Sequence, residues 1–153
     1  AADLVLFAIY ERAILPGGHP RPIGVTNLQE IDHRHGTAEF VIFIGAADAR
    51  GKGYGTETTR LMLDYAFTAL GLHNVMLTVY SYNPAARRAY EKAGFREFAR
   101  RRESVWMGGR LWDTIFMECL AQSPRAHSHS SRNGRGARGV RRGINDDPDA
   151  PSI

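Results

Sequence analysis

A glycine-rich loop between an apolar strand and a helix constrains this chain most. Gly51, Gly53 and Gly55 alternate along the loop. The apolar run Phe40–Ile44 precedes it, and a helical pattern over Thr56–Leu70 follows it. Glycine has no Cβ, so the backbone of such a loop can approach a ligand closely. The first amides of the helix have no intrahelical partner and lie at the positive end of its dipole, so the stretch predicts a phosphate-binding site.

The composition is that of one globular domain followed by a polar tail. The chain has 153 residues, of which 43% are hydrophobic and 24% charged, enough for a buried core. No apolar run approaches the roughly 20 residues that cross a bilayer, so we expect no membrane partner. Of the net charge of +4, residues 121–153 carry +3, from six arginines and three aspartates, which leaves +1 for residues 1–120. The tail has no interleaved aromatic side chains for base stacking, so we expect no specific nucleic-acid partner.

The cysteine and histidine content predicts neither a disulfide nor a metal site. Cys119 is the single cysteine, which suits a reducing compartment, and we expect the protein to be cytoplasmic. Two histidine pairs, His33 with His35 and His127 with His129, have no cysteine or carboxylate at ligand spacing. Both pairs are therefore interpreted as solvated loop residues.

Hydrophobic patterns predict an α/β (α+β) fold in the order β-β-β-α-β-α-β-β, one mixed sheet with helices on both faces. The predicted strands are Leu4–Ile9, Pro22–Leu28, Thr37–Ile44, Val75–Tyr80, Phe95–Met107 and Leu111–Leu120. A second helix begins at Asn83 and Pro84, which suit the N-cap and first helical positions, and ends at Gly94. Residues 1–120 form the predicted domain, and residues 121–153 are a predicted flexible tail rich in Arg, Gly and Ser.

Two common phosphate loops do not fit. A nucleoside-triphosphate loop needs Ser or Thr directly after its lysine, whereas Lys52 lies between two glycines. A dinucleotide loop that continued from Gly53 and Gly55 would need a third glycine where the chain has Thr58.

Two segments instead resemble a known family. The spacing Arg50-x-x-Gly53-x-Gly55 is similar to the Arg/Gln-x-x-Gly-x-Gly/Ala pyrophosphate loop of the GNAT superfamily of acetyl-CoA-dependent N-acetyltransferases. The segment Asn83–Phe95 resembles the strand-helix segment that follows this loop in the family. The resemblance covers about residues 4–120 and is greatest to the branch that acetylates ribosomal-protein amino termini and polyamines.

The resemblance implies acetyl-CoA as co-substrate and no metal. In the family, backbone amides hold the CoA pyrophosphate with help from cations, and the pantetheine arm pairs with a strand that splays from its neighbour. The implied cofactor-binding residues are Phe43, Ile44, Arg50, Gly51, Lys52, Gly53, Tyr54, Gly55, Thr56 and Asn83. Asn83 is also a good N-cap residue, and it can serve in both roles.

The resemblance also implies two catalytic residues. Tyr90 occupies the position at which many members place the acid that protonates the leaving thiolate, while the alternative is a helix residue packed on the sheet. Glu39 corresponds to a residue that in some relatives orients a water to deprotonate the amine. The alternatives are that Glu39 caps a strand or pairs with a nearby arginine.

The resemblance thus implies an N-acetyltransferase that moves acetyl to a primary amine, on a small molecule or a protein amino terminus, in a ternary complex. The alternative is a non-catalytic acyl-CoA-binding domain used for sensing or protein interaction. Family members usually begin with a further strand and one or two helices before the equivalent of Leu4, so we expect an N-terminally truncated domain. A homodimer is a possible assembly.

Overall fold

A mixed sheet of six strands forms the centre of the structure. The computed structural model describes residues 3–12 and 16–122. Across the sheet the strand order is β1-β2-β3-β4-β6-β5, and only β3 and β4 pair in parallel. The strands are β1 (Asp3–Glu11), β2 (Arg21–Asp32), β3 (Thr37–Ile44), β4 (Asn74–Tyr80), β5 (Arg96–Met107) and β6 (Arg110–Leu120).

Each of the two helices leads from one strand to another strand that runs in the same direction. The first, α1 (Tyr54–Asp64), follows a short 3₁₀ turn at Ala47–Ala49, continues through a π-helical turn at Tyr65–Ala69, and leads from β3 to β4. The second, α2 (Pro84–Ala93), leads from β4 to β5. This order confirms the predicted β-β-β-α-β-α-β-β arrangement and the mixed α/β class.

The predicted tail lies almost wholly outside the residues that the structure describes. Residues 123–153 are not among them, so the flexibility of residues 121–153 stays a prediction. Of the predicted histidine pairs, the one at 127 and 129 also lies outside the described residues. Within the described part of the chain, no helix is long and apolar enough to span a membrane.

The hydrophobic core lies between one face of the sheet and the two helices. Buried and more exposed side chains alternate along β3, and Ala38 and Phe40 are the ones buried under the helices. The largest contributions from the other elements are Leu28 of β2, Leu77 of β4, Met117 of β6 and Met62 of α1. Tyr90 of α2 is partly buried against the same cluster.

The two helices share one face of the sheet, which differs from the predicted placement on both faces. They contact each other and the same core. Both belong to crossovers that lead to a parallel strand further along the sheet in the same direction, β3 to β4 and β4 to β5. Such crossovers are right-handed, so two that progress in one direction place their helices on one side. The opposite face exposes Val41 and Phe43, at 37% and 62%.

The sheet opens between β3 and β4. These strands pair through only three positions, Thr37 with Asn74, Ala38 with Val75, and Glu39 with Met76. Beyond them the strands separate, although β3 continues to Ile44 and β4 to Tyr80. Among the described residues, the backbone groups of the second half of β3 that face β4 therefore have no partner strand.

Candidate functional site

A cavity of about 620 Å³ lies where the open seam between β3 and β4 meets the glycine loop. The end of β3, the loop, the start of α1 and one face of α2 line it. It brings together all the predicted site residues except Lys52 and Glu39, namely Phe43, Ile44, Arg50, Gly51, Gly53, Tyr54, Gly55, Thr56, Asn83 and Tyr90. Residues from positions 43 to 90 of the sequence thus surround one space, although their individual roles stay predictions.

The loop backbone needs glycine at two positions. Gly51 and Gly53 have φ values of +74° and +84°, in the left-handed region that L residues disfavour. A Cβ added at either position would meet no atom within 4 Å, so the space beside the loop is open to a ligand. Gly53 is the N-cap of α1, and no side chain in the described part of the chain caps this helix. The first intrahelical bond runs from the Glu57 N–H to the Gly53 carbonyl, at 3.1 Å, so the preceding amides remain available as donors.

The electrostatic character of the cavity suits an anion. Its lining includes the cationic residues Arg50, Arg88 and Lys92, and none of its lining residues in the described chain carries a carboxylate side chain. Arg88 and Lys92 lie one turn apart on α2, and the sequence analysis did not select them. Their i, i+4 spacing, on the face that also bears Ala85 and Ala89, is the signal that could have identified them.

Arg50 is held at the edge of the cavity by the end of β3. Its Nε and Nη2 donate to the Ile44 carbonyl at 3.4 and 3.3 Å. These are long hydrogen bonds on an exposed side chain, so they restrain the guanidinium only weakly. The guanidinium can therefore turn toward an anion in the cavity without losing a strong contact.

Lys52 does not line the cavity, and its side chain turns toward the end of β1. Its Nζ lies 3.2 Å from Oε1 of Glu11, which also accepts a bond of 2.7 Å from the Tyr54 hydroxyl. The second carboxylate oxygen of Glu11 accepts from Nη2 of Arg21 at 2.8 Å. Together these bonds, that of Arg21 first, lower the pKa of Glu11 to about 2. The side chain of Lys52 is therefore directed away from the cavity, and its role toward the cofactor stays a prediction.

Asn83 caps α2 and lines the cavity. Its Oδ1 accepts from the Ala86 N–H at 3.1 Å, with Pro84 at the first helical position. The N-cap alternative is therefore confirmed. The cap uses the acceptor of the side-chain amide and not its N–H donors, so a second role toward a ligand remains compatible with it.

Tyr90 lies at the base of the cavity, between the helices and the sheet. Its ring packs edge-to-face on Phe40 and on Phe95, with centroids 6.2 Å apart in both pairs. Burial raises the pKa of Tyr90 above its ordinary value near 10, so the hydroxyl stays protonated at neutral pH. Among the described residues, no partner accepts a hydrogen bond from this hydroxyl or donates one to it. The packing alternative is thus correct for the ring, and the hydroxyl is available to a ligand.

Glu39 lies on the opposite side of the sheet from Tyr90. Its neighbours Ala38 and Phe40 face the core, so strand alternation directs Glu39 away from the helices. Its carboxylate accepts from Nε2 of Gln29 at 3.3 Å. Glu39 pairs with Met76 at the last position before the sheet opens, so it lies beside the seam.

Comparison with protein families identifies the chain. Residues 2–96 match the family described as acetyltransferase (GNAT) domain. The chain belongs to this GNAT family. The match includes β1 to α2 and every predicted site residue, which confirms the suspected relationship.

Several known GNAT proteins resemble the chain. A spermidine N(1)-acetyltransferase from Vibrio cholerae is 37% identical over 109 residues, which are 71% of this chain and 62% of the relative. The solved structure of a mutant spermidine N-acetyltransferase SpeG from Vibrio cholerae matches with a TM-score of 0.66 and 34% identity, over 76% of this chain and 65% of that one. A complex of the Vibrio cholerae enzyme with CoA and spermine matches with a TM-score of 0.61 and 39% identity, over 66% and 59% of the two chains. The chain spans about 60% of the length of these relatives.

Proposed function

We propose that this GNAT chain is an N-acetyltransferase, which transfers acetyl from acetyl-CoA directly to a primary amine. The observation that carries the proposal is the open seam between β3 and β4, which leads into a cation-lined cavity beneath the glycine loop. Membership of the GNAT family and the likeness to an enzyme solved with CoA and spermine support it.

Acetyl-CoA would use the cavity and the seam in sequence. The pyrophosphate and the ribose 3′-phosphate of CoA would be held by the amides of residues 51–56 and by the side chains of Arg50, Arg88 and Lys92. The amides of the pantetheine arm would pair with the free backbone edge of β3, as a peptide does when it adds to a sheet. The N–H donors of Asn83 would bind the same arm.

The chemistry would be one direct transfer. The neutral amine nitrogen attacks the thioester carbonyl, the C–S bond breaks, and the sulfur takes the proton of the Tyr90 hydroxyl to leave as the free thiol. The nitrogen gives up its extra proton to a water that Glu39 orients. Tyr90 then recovers its proton from solvent. The products are the N-acetyl amine and CoA, and no acetyl group is bound to the protein at any stage.

The acceptor would be a primary amine, and a polyamine is the class that the relatives favour. Their names specify spermidine, and one of their structures contains spermine. The carboxylate of Glu39, on the open face beside the seam, suits a cationic amine that approaches from that side. Peptide amino termini and other small amines share the reactive group and belong in the same test. Homodimer formation and a cytoplasmic location also stay predictions.

The alternative is a domain that binds acyl-CoA without catalysis. The placement of Glu39 favours it, because this carboxylate does not line the cavity that contains Tyr90. In that case the coenzyme would bind to the seam and the loop, and no amine would react.

An assay of free-thiol release from acetyl-CoA separates the two functions. The amine panel contains spermidine, spermine, an aminoglycoside and a peptide with a free amino terminus, with a reaction lacking amine as the control. Thiol release that requires one of the amines supports the transferase. Saturable CoA binding without thiol release for any amine in the panel would favour the non-catalytic domain.

A further inference from the structure

We propose that Glu11, at the end of β1, is a positioning residue that fixes the phosphate loop in its binding conformation. The inference rests on the proposed function, because it concerns the loop that would bind the CoA pyrophosphate. Glu11 itself does not line the cavity. It acts through residues that belong to the loop and to the first turn of α1.

The contacts of Glu11 join three parts of the chain that are distant in sequence. Its Oε1 accepts from Nζ of Lys52 and from the hydroxyl of Tyr54, and its Oε2 accepts from Nη2 of Arg21. The loop partners are 41 and 43 residues away, and Arg21 begins β2. One carboxylate therefore connects the ends of β1 and β2 to the loop and to the first residue of α1.

This cluster differs from an ordinary surface ion pair. The side chain of Glu11 is only 13% exposed, and both of its oxygens accept hydrogen bonds from charged or hydroxyl donors. Isolated exposed pairs contribute little, whereas networks with good geometry restrain their members. Arg21 extends the network to Asp48, at 3.1 Å, in the 3₁₀ turn that precedes the loop. The loop is thus attached at both of its ends.

The charge balance shows that the network supplies geometry and not attraction for phosphate. Glu11 and Asp48 carry two negative charges, and Arg21 and Lys52 carry two positive charges, so the cluster is neutral as a whole. Lys52 is held outside the cavity by this contact. Tyr54 is the residue that transmits the effect, because it bonds to Glu11 and also lines the cavity.

The consequence is a loop that needs little reordering when it binds. Gly51 and Gly53 allow left-handed backbone but do not enforce it, since glycine is free to adopt many conformations. The bonds to Lys52 and Tyr54 fix the residues on either side of Gly53. A binding site that is ordered in advance avoids the entropic cost of ordering on association.

Calorimetric titration with CoA and with pantetheine, which lacks the pyrophosphate, tests the proposal. We expect Glu11→Ala to weaken CoA binding by about tenfold or more and to leave pantetheine binding unchanged. Glu11→Gln keeps an acceptor oxygen and should lose less affinity. Glu97→Ala is the matched control, because Glu97 also accepts from two arginines, Arg87 and Arg100, away from the loop.

A double-mutant cycle adds a readout that general destabilisation would not change. Tyr54→Phe should weaken CoA binding in the wild-type background and have no further effect in the Glu11→Ala background. Wild-type CoA affinity in Glu11→Ala, tighter binding, or equal losses for CoA and pantetheine would each overturn the proposal. If Glu11→Ala does not fold, Glu11→Gln provides the same comparison. Absence of CoA binding to the wild-type chain would instead reject the proposed function.

Discussion

Replacement of Tyr90 by phenylalanine removes one hydroxyl and little else. The ring would keep its edge-to-face contacts with Phe40 and Phe95, and within the described residues the hydroxyl has no hydrogen bond to lose. We therefore expect the free energy of unfolding to stay within about 1 kcal/mol of wild type. Affinity for acetyl-CoA should change by less than about twofold, because the Tyr90 hydroxyl is not among the groups proposed to hold the phosphates.

The rate of acetyl transfer should respond very differently. Loss of a general acid typically lowers the turnover rate by about 100- to 1,000-fold, which is about 3–4 kcal/mol in the activation barrier. Because burial raises the pKa of Tyr90 above its ordinary value, the hydroxyl keeps its proton from pH 7 to 9, and the variant should be defective throughout that range. Initial rates of thiol release at saturating acetyl-CoA and amine, with calorimetric titration of CoA, measure both quantities.

A tyrosine elsewhere on the same face supplies the control for this experiment. Tyr65 packs edge-to-face on Phe7, with ring centroids 5.3 Å apart, and does not line the cavity beside the glycine loop. Tyr65→Phe should retain wild-type turnover. Turnover by Tyr90→Phe equal to that of wild type would refute the acid role, and equal losses in both variants would indicate a packing effect.

Three further predictions follow from the same geometry. Gly53→Ala and Gly71→Ala both place a Cβ at a residue with positive φ, which costs about 1–2 kcal/mol in stability. Only Gly53→Ala should also lose CoA affinity in calorimetry. Equal losses of CoA affinity in the two variants would refute the loop assignment. Glu39→Gln should lower turnover most at neutral pH, with a loss that shrinks toward pH 9 as the amine loses its proton unaided; a constant loss in the rate profile would exclude a base role. The pKa of Glu11 falls from 4.5 to about 2 on folding, so its contribution to stability is full above about pH 4.5 and disappears as pH falls to about 2. The free energies of unfolding of wild type and Glu11→Gln, measured with urea, should become equal as pH falls through that range. A difference in free energy that does not depend on pH would contradict an ion-pair origin of the stabilisation.

Local signals made much of the fold and the site predictable from sequence. The predicted start of α2 at Asn83 and Pro84 and its predicted end at Gly94 agree with the structure. Both could be predicted because helix capping and left-handed backbone depend on individual residues. Gly51 and Gly53 identified the loop for the same reason. The family resemblance, and not these local signals, implied the residues of β3 and α2 that line the same cavity as the loop.

Features that depend on long-range arrangement were not predictable in this way. The helices lie on one face because β4 lies beyond β3, and β5 beyond β4, in the same direction across the sheet. No pattern within the helices themselves contains that information. The contact of Lys52 with Glu11 spans 41 residues, so no local pattern indicated that the side chain of this residue, which the family resemblance implied as cofactor-binding, turns away from the cavity.

The central claim is that the glycine loop binds the phosphates of CoA, and amide resonances of an isotope-labelled chain test it most directly. Titration with CoA should shift the amide signals of Gly51, Gly53 and Gly55 in a saturable way. The signals of Gly108 and Gly109, in the turn between β5 and β6, should stay in place. Shifts confined to other parts of the chain, or no shift of the three loop glycines at saturating CoA, would contradict the account.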